Sequence, residues 1–324
     1  MWQRGIAMAA LGCGLALTGA AQAQPFPAKP VKIVVGFAVG GPTDVIARLL
    51  AQHMTASMGQ SVFVENKTGA NALIATEEVA LARPDGYTLL FSSLSYNVNH
   101  ILMPDRVKYD PIKSFAPITL VATLPMIVVT GFGSPYATLN DLVAQSKAKP
   151  GTVSFGSAGN GGSAHLAGEL LRSKTGTDMI HIPFRGNGPA LMEVMAGRIS
   201  YMFYPSIGVA DYVSGKRLKV LAVAAKQHNP DFPGVPTTDE LGLPGLDSTA
   251  PWVGLLAPAG TPEAVVQRLA SEVNKAMALP EAKERLRALG AVAVGGSPAE
   301  FGAFLKSDHE HWATVVRAAG VKAD

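Results

Sequence analysis

The sequence predicts an α/β protein of two lobes, each a mostly parallel sheet flanked by helices. Three observations carry this. Short runs rich in Val, Ile and Phe alternate with helix-periodic stretches along the chain. Glycine-rich turns join run to helix. The strand-like runs are too numerous for one ordinary sheet, so two lobes with a crevice between them are the better arrangement. Of the 324 residues, 48% are hydrophobic and 16% charged, which excludes a disordered chain.

The first 23 residues are read apart from the rest. Arg4 precedes an apolar run over 6–17, and Ala21-Gln22-Ala23 stands ahead of Gln24, the pattern of a secretory signal cleaved after Ala23. The single cysteine, Cys13, would leave with it, so the mature chain is expected to have no disulfide. Cys13 follows Ala10-Leu11-Gly12, where a lipid-attachment site would carry a larger apolar residue at position 10, which argues against lipidation. An exported chain without disulfides must be held by its core, as in a bacterial periplasm.

The first strand is expected at 31–37, apolar almost throughout and so buried on both faces. Gly40-Gly41-Pro42-Thr43-Asp44 turns it into a helix whose apolar face carries Val45, Ile46, Leu49, Leu50, Met54 and Met58. A strand follows at 87–91. The same unit recurs at 153–155, where residues 156–163 form a glycine-rich turn before a helix bearing Leu166, Leu170 and Leu171. It recurs again at 181–184, where Arg185-Gly186-Asn187-Gly188-Pro189 leads into a helix over 190–196. Further strands are expected at 199–203, 218–225 and 253–257. From Pro262 onward the pattern is helical, with Val265, Val266, Leu269, Val273 and Met277 on one face and Phe301, Phe304, Leu305, Trp312, Val315 and Val316 on a later one.

The search for reactive chemistry is mostly negative. With 27 basic and 24 acidic side chains in no runs, there is no footprint for nucleic acid, and no apolar run reaches the roughly 18 residues a membrane span needs. Gly-x-Ser-x-Gly, His-Glu-x-x-His and Walker A motifs are absent, and no cofactor, metal or catalytic residue is expected. His309 and His311 flank Glu310 two residues apart, which points them to different sides of a helix rather than at one metal. Gly159-x-Gly161-x-x-Ala164, with Asp178 beyond it, imitates a dinucleotide fingerprint but lies far from the first strand. His165 follows Ser163 at a helix start; lining a ligand, a structural role and service as a base for a serine all remain open, although no third group completes a triad.

The positive signal is the three glycine turns, each opening a helix. Open helix N-termini offer unpaired N–H groups and a partial positive charge, which suits carboxylates and phosphates. The hydroxyls of Thr43, Ser92, Ser93, Ser95, Ser157 and Ser163 lie at strand ends or turns where they add donors. Arg185 either adds a charge or pairs with an acid across the lobes.

These turns carry a family pattern. Val34-Val35-Gly36-Phe37-Ala38-Val39-Gly40-Gly41-Pro42-Thr43-Asp44, Val64-Glu65-Asn66-Lys67-Thr68-Gly69-Ala70, Pro84-Asp85-Gly86-Tyr87-Thr88-Leu89-Leu90 and Phe115-Ala116-Pro117-Ile118 are followed by Pro183-Phe184-Arg185-Gly186, Val235-Pro236-Thr237 and the stretch from Trp252 to Pro262. In this order the chain resembles the Bug family of periplasmic solute receptors of tripartite tricarboxylate transporters. The resemblance implies a type II, Venus-flytrap binding protein whose lobes are joined by crossing strands, the first lobe (24–124 and 248–324) assembled from both chain ends and the second spanning 125–247. It implies a monomer that captures a small organic carboxylate, aliphatic or aromatic, without chemistry and hands it to membrane permease subunits. A receptor feeding a sensor kinase is the alternative, and a periplasmic serine hydrolase the remote one.

Carried over by position, first-lobe contacts would come from Phe37, Ala38, Gly40, Gly41, Thr43, Asp44, Ser92 and Ser93, with Asp44 bracing its loop. Second-lobe contacts would come from Ser157, Gly159, Gly161, Ser163, His165, Arg185, Gly186 and Tyr204. The chain departs from the family pattern at Val39, where proline is usual, at Asn71-Ala72 and Ala75, where glycines are usual, and at Tyr204, where Asp is frequent. Phe37, Tyr96, Phe184 and Tyr204 would line a pocket for an aromatic acid, or belong to the core.

Overall fold

The chain's first strand, β1 (Val31–Val35), is buried at every position but Lys32. Helix α1 (Pro42–Met58) buries Ile46, Leu50, Met54 and Met58 along one stripe and stops at Gly59, whose left-handed φ of 68° closes the last turn. The computed structural model describes residues 26–184, 186–206 and 208–319; the expected signal segment, 1–23, and Arg185 lie outside them. Next come β2 (Val62–Asn66), α2 (Leu73–Ala80), β3 (Thr88–Ser93), α3 (Ser95–Leu102) and β4 (Phe115–Thr123). The second unit runs β5 (Met126–Gly131), α4 (Leu139–Ala148), β6 (Val153–Ser157), α5 (Ser163–Thr175), β7 (Met179–Pro183), α6 (Asn187–Met195), β8 (Tyr201–Pro205), α7 (Ala210–Ser214) and β9 (Leu218–Ala224). A short 3-10 turn (Leu246–Thr249) then leads to β10 (Trp252–Pro258), α8 (Glu263–Ala278), α9 (Pro280–Ala288), β11 (Val292–Ala293) and α10 (Pro298–Ala319). Among the described residues no helix is long and apolar enough to cross a membrane.

Two sheets result, ordered β11-β4-β10-β3-β1-β2 and β7-β6-β8-β5-β9. Strands β1, β2 and β3 pair in parallel, as do β6, β7 and β8. The exceptions have a geometric cause. β5 and β10 each follow a passage from one sheet to the other, so each starts where its neighbours end and pairs antiparallel to them. Strands β2, β4, β5 and β11 go beyond those expected from hydrophobic runs. β2 is short and half exposed, and β11 is two residues set between helices.

Each sheet is covered by helices on both faces. In the first lobe one core packs α1, α8 and α9 on the sheet around Ile46, Leu50 and Leu269, and the other packs α2, α3 and α10 around Tyr96, Trp252 and Trp312. In the second, α4 and α5 cover one face and α6 the other. Leu166 and Leu170 of α5 also reach across to the Trp252 and Trp312 cluster. Where the chain passes between lobes, Leu124 N–H donates to Pro251 O at 2.8 Å and stitches the two passages side by side, and Ser206 N–H at the end of β8 donates to Pro125 O at 3.2 Å.

Candidate ligand-binding site

A cleft of about 670 Å³ opens between the lobes, within the roughly 300–1,000 Å³ of small-molecule sites. Four helices of eight residues or more place their first helical residue on its wall, α1 with Pro42, α3 with Ser95, α5 with Ser163 and α6 with Asn187, while α2 reaches it only through the residue before its first turn, Ala72. No side chain caps any of the four. Side-chain caps occur elsewhere in the chain, α4 being closed by a capping box between Thr138 and Asp141 and α10 by reciprocal bonds between Ser297 and Glu300, while α8 and α9 have none. No side chain takes up the first-turn amides at the cleft; of these positions Asn97 N–H bonds back to Leu94 O, and Pro42 and Pro189 carry no N–H.

The floor is apolar, formed by Leu124, Met126, Pro205, Pro251 and Val253 at the passages between lobes, with Phe37 at one side. Among the described residues the lining holds no charged side chain. Ser95 is 6% exposed, and its Oγ has no hydrogen-bond partner among them.

Of the residues expected at the site, Phe37, Ala38, Gly41, Thr43, Ser93, Gly159, Gly161, Ser163 and Gly186 line this cleft. Gly40, Asp44, Ser92, Ser157, His165 and Tyr204 stand outside the lining, and most have other partners. The Asp44 carboxylate is buried beneath its turn, accepting from Gly40 N–H at 2.9 Å, Asn66 Nδ2 at 2.9 Å and Arg48 Nε at 3.0 Å. Burial pushes its carboxyl up, but the bonds from Arg48, Gly40 and Asn66 outweigh that and hold it below the ordinary carboxylate range. Tyr204 and Phe184 pack against the α6 face of the second sheet, and Tyr96 is core, its hydroxyl donating to Pro111 O. Phe37 is thus the aromatic residue on the lining among the described residues.

In the first two glycine turns several glycine amides are spent locally. Gly41 N–H donates to Ala38 O, Gly40 N–H to Asp44, Gly159 N–H to Ser157 Oγ at 3.1 Å and Gly161 N–H to His165 Nδ1 at 3.0 Å. These four amides point back into their own turns, which leaves the first helical residues just beyond as the candidate donors. This also removes the hydrolase reading: His165 spends Nδ1 on Gly161, and its Nε2 faces Glu169, so neither nitrogen serves Ser163. His309 and His311 contact different partners, His100 and Ser248.

Thr68, Asn71, Asn160 and Asn187 line the cleft without having been expected there. The run Ala70, Asn71 and Ala72 has φ of 46°, 52° and 68°, three successive non-glycine residues in the left-handed region. The absence of the usual glycines was the available signal, since a site-facing loop that keeps a glycine conformation without glycine is under constraint.

The profile of the tripartite tricarboxylate transporter family receptors matches residues 46–321. BugT of Bordetella pertussis is 35% identical over 320 residues, covering 97% of this chain and 98% of its own. MatC of Rhodopseudomonas palustris, solved with bound malate, is 32% identical with a TM-score of 0.79, over 90% of this chain and 100% of that one. Rpa4515 of R. palustris, solved with adipate, is 29% identical with a TM-score of 0.82, over 92% and 99%.

Proposed function

Because the chain belongs to the tripartite tricarboxylate transporter receptor family, a family of solute receptors rather than enzymes, we propose that it captures a small organic dicarboxylate in the periplasm and delivers it to a membrane permease. The observation that carries the reading is the convergence of four uncapped helix starts on one cleft, two from each lobe. One helix start contributes about 0.3–1 kcal/mol toward an anion, up to roughly 2 when partly buried, and each hydrogen bond to a charged group about 1.5–3. Micromolar affinity needs about 8 kcal/mol net of association costs. A single start falls far short, so donors from several starts must act together with the Ser95 and Thr43 hydroxyls.

Opposed pairs also define the ligand's shape. An anionic group at each end of the molecule meets one lobe each, and a hydrocarbon spacer lies on the floor of Leu124, Met126 and Val253. Such a ligand holds the lobes together, which couples capture to a closed outer surface for the permease to recognise. The relatives solved with malate and adipate carry ligands of this kind. With Phe37 the aromatic on the lining, aliphatic spacers fit the cleft better than aromatic rings do.

The test is a thermal-shift and calorimetric screen of the mature protein with succinate, malate, adipate and phthalate, with neutral adipamide as control. At least one dicarboxylate at about 100 times its Kd adds roughly 2.7 kcal/mol to stability, while adipamide adds none. A response confined to neutral sugars or amines overturns the reading. Mass spectrometry of the exported protein tests the location, with Gln24 as the expected first residue.

A further inference from the structure

Behind the second-lobe turn, side chains from β6, β7 and α5 form one assembly, in which Ser157 and His165 are buried and His181 is half-buried. Ser157, at the end of β6, places Oγ 3.1 Å from Gly159 N, 3.0 Å from Gly159 O and 2.7 Å from His181 Nε2. A hydroxyl has one hydrogen and two lone pairs. All three contacts are satisfied together only when Oγ donates to Gly159 O and accepts from Gly159 N–H and from His181 Nε2–H. His181 therefore carries its proton on Nε2. His165 accepts Gly161 N–H on Nδ1 at 3.0 Å, which puts its proton on Nε2 as well, facing Glu169 Oε1 at 3.9 Å. The two imidazoles lie face to face, 3.8 Å between centroids and 11° apart in plane, beside the Phe155 ring.

We propose that His165 and His181, acting with Ser157, are positioning residues that clamp the 159–161 turn from behind, so that the first-turn amides of α5 face the ligand. Gly159 and Gly161 hold φ of 130° and 72°, conformations that glycine visits freely and leaves as freely. The clamp supplies the order that the glycines lack. It also keeps two amides of the turn out of the cleft, so a ligand meets Gly162, Ser163 and Ala164 in a fixed orientation. Protonation of His165 would set an N–H against the Gly161 N–H and open the clamp. Burial, with His181 and Arg172 nearby, pushes its imidazole down to about 3, so it stays a neutral acceptor in ordinary buffers.

The affinity arm of the test rests on the dicarboxylate-receptor reading; the other two arms do not. In the wild-type mature protein, long-range proton–nitrogen NMR should find both histidines in the Nε2–H form, and an Nδ1–H form at either overturns the proposal. Two variants separate clamping from filling space. His165→Phe keeps a ring but no acceptor, whereas His165→Asn places Oδ1 where Nδ1 stood. The Phe variant should speed exchange of the Gly161 amide at least tenfold and weaken binding of malate or adipate, whichever the wild type binds, at least tenfold. The Asn variant should stay within threefold of wild type in both. A Phe variant indistinguishable from wild type, or an Asn variant no better than Phe, overturns the proposal. If the Phe variant does not fold, the tautomers and the Asn variant's exchange rate still decide. A wild type that binds no carboxylate counts against the receptor reading alone.

Discussion

Asp308 on the last helix accepts a hydrogen bond from Asn97 Nδ2 at 2.7 Å, tying α10 to the helix whose first turn lines the cleft. Trp312 Nε1 donates to the same carboxylate at 3.2 Å. Burial pushes the Asp308 carboxyl up to about 6, with the bonds from Asn97 and Trp312 opposing the rise.

A folded-state value above the unfolded one means that the native protein binds the extra proton between about pH 4 and pH 6. Stability from this group is thus present in acid and lost as the pH rises through 6. Relative to wild type, Asp308→Asn should gain on the order of 2–3 kcal/mol between pH 4 and pH 7. Urea unfolding of both proteins across that range checks it, and a difference that does not vary with pH refutes it.

Asp44→Ala should behave as a binding mutant although its carboxylate stands off the lining. The change leaves Gly40 N–H, Asn66 Nδ2 and the Arg48 side chain without their acceptor, a loss of about 2–4 kcal/mol in stability. The 37–41 turn loosens with it, so dicarboxylate affinity should fall at least tenfold by calorimetry. The depressed carboxyl adds a sign: its stabilising effect is present at neutral pH and lost as the pH drops below the ordinary carboxylate range.

Gly36→Ala should damage both fold and site. A methyl there would stand 2.2 Å from Ala72 Cβ and 2.7 Å from its Cα, so backbone rather than a flexible side chain must yield. We expect a loss of about 2–3 kcal/mol and a drop in affinity, because Gly36, Asn71 and Ala72 all line the cleft.

Ala70→Gly runs the other way. Ala70 is exposed with φ of 46°, and a side chain in that region costs about 1–2 kcal/mol, part of which glycine's extra unfolded freedom takes back. Unfolding stability should rise by about 0.5–1 kcal/mol. An unchanged or lower stability shows that the loop relaxes in solution.

The α/β class, the two sheets and the glycine turns were legible because buried strands and helix faces write themselves in hydrophobic period. Ser157 and His165 show where that legibility stops. Residue type and position put them beside a turn at a helix start, but Gly159 and Gly161 decide whether their side chains face the cleft or lie beneath the turn, and glycine's broad φ range leaves that choice open in the sequence. Thr68 and Asn71 were hidden for a related reason: they come from a loop after a short, half-exposed strand with almost no periodic signal. β10 was visible as an apolar run, yet its reversed direction follows from its passage between lobes, which no local pattern records.

The place of β10 sets an order on the birth of the molecule. It lies between β3 and β4 in the first sheet, yet it begins at Trp252, after the entire second sheet has been made. A chain growing from its N-terminus can complete the second lobe as a contiguous piece while β3 and β4 still wait with bare edges for the strand between them. During that interval the young protein is exposed to sticking to its neighbours, and a chain truncated before Trp252 should aggregate rather than yield half a receptor.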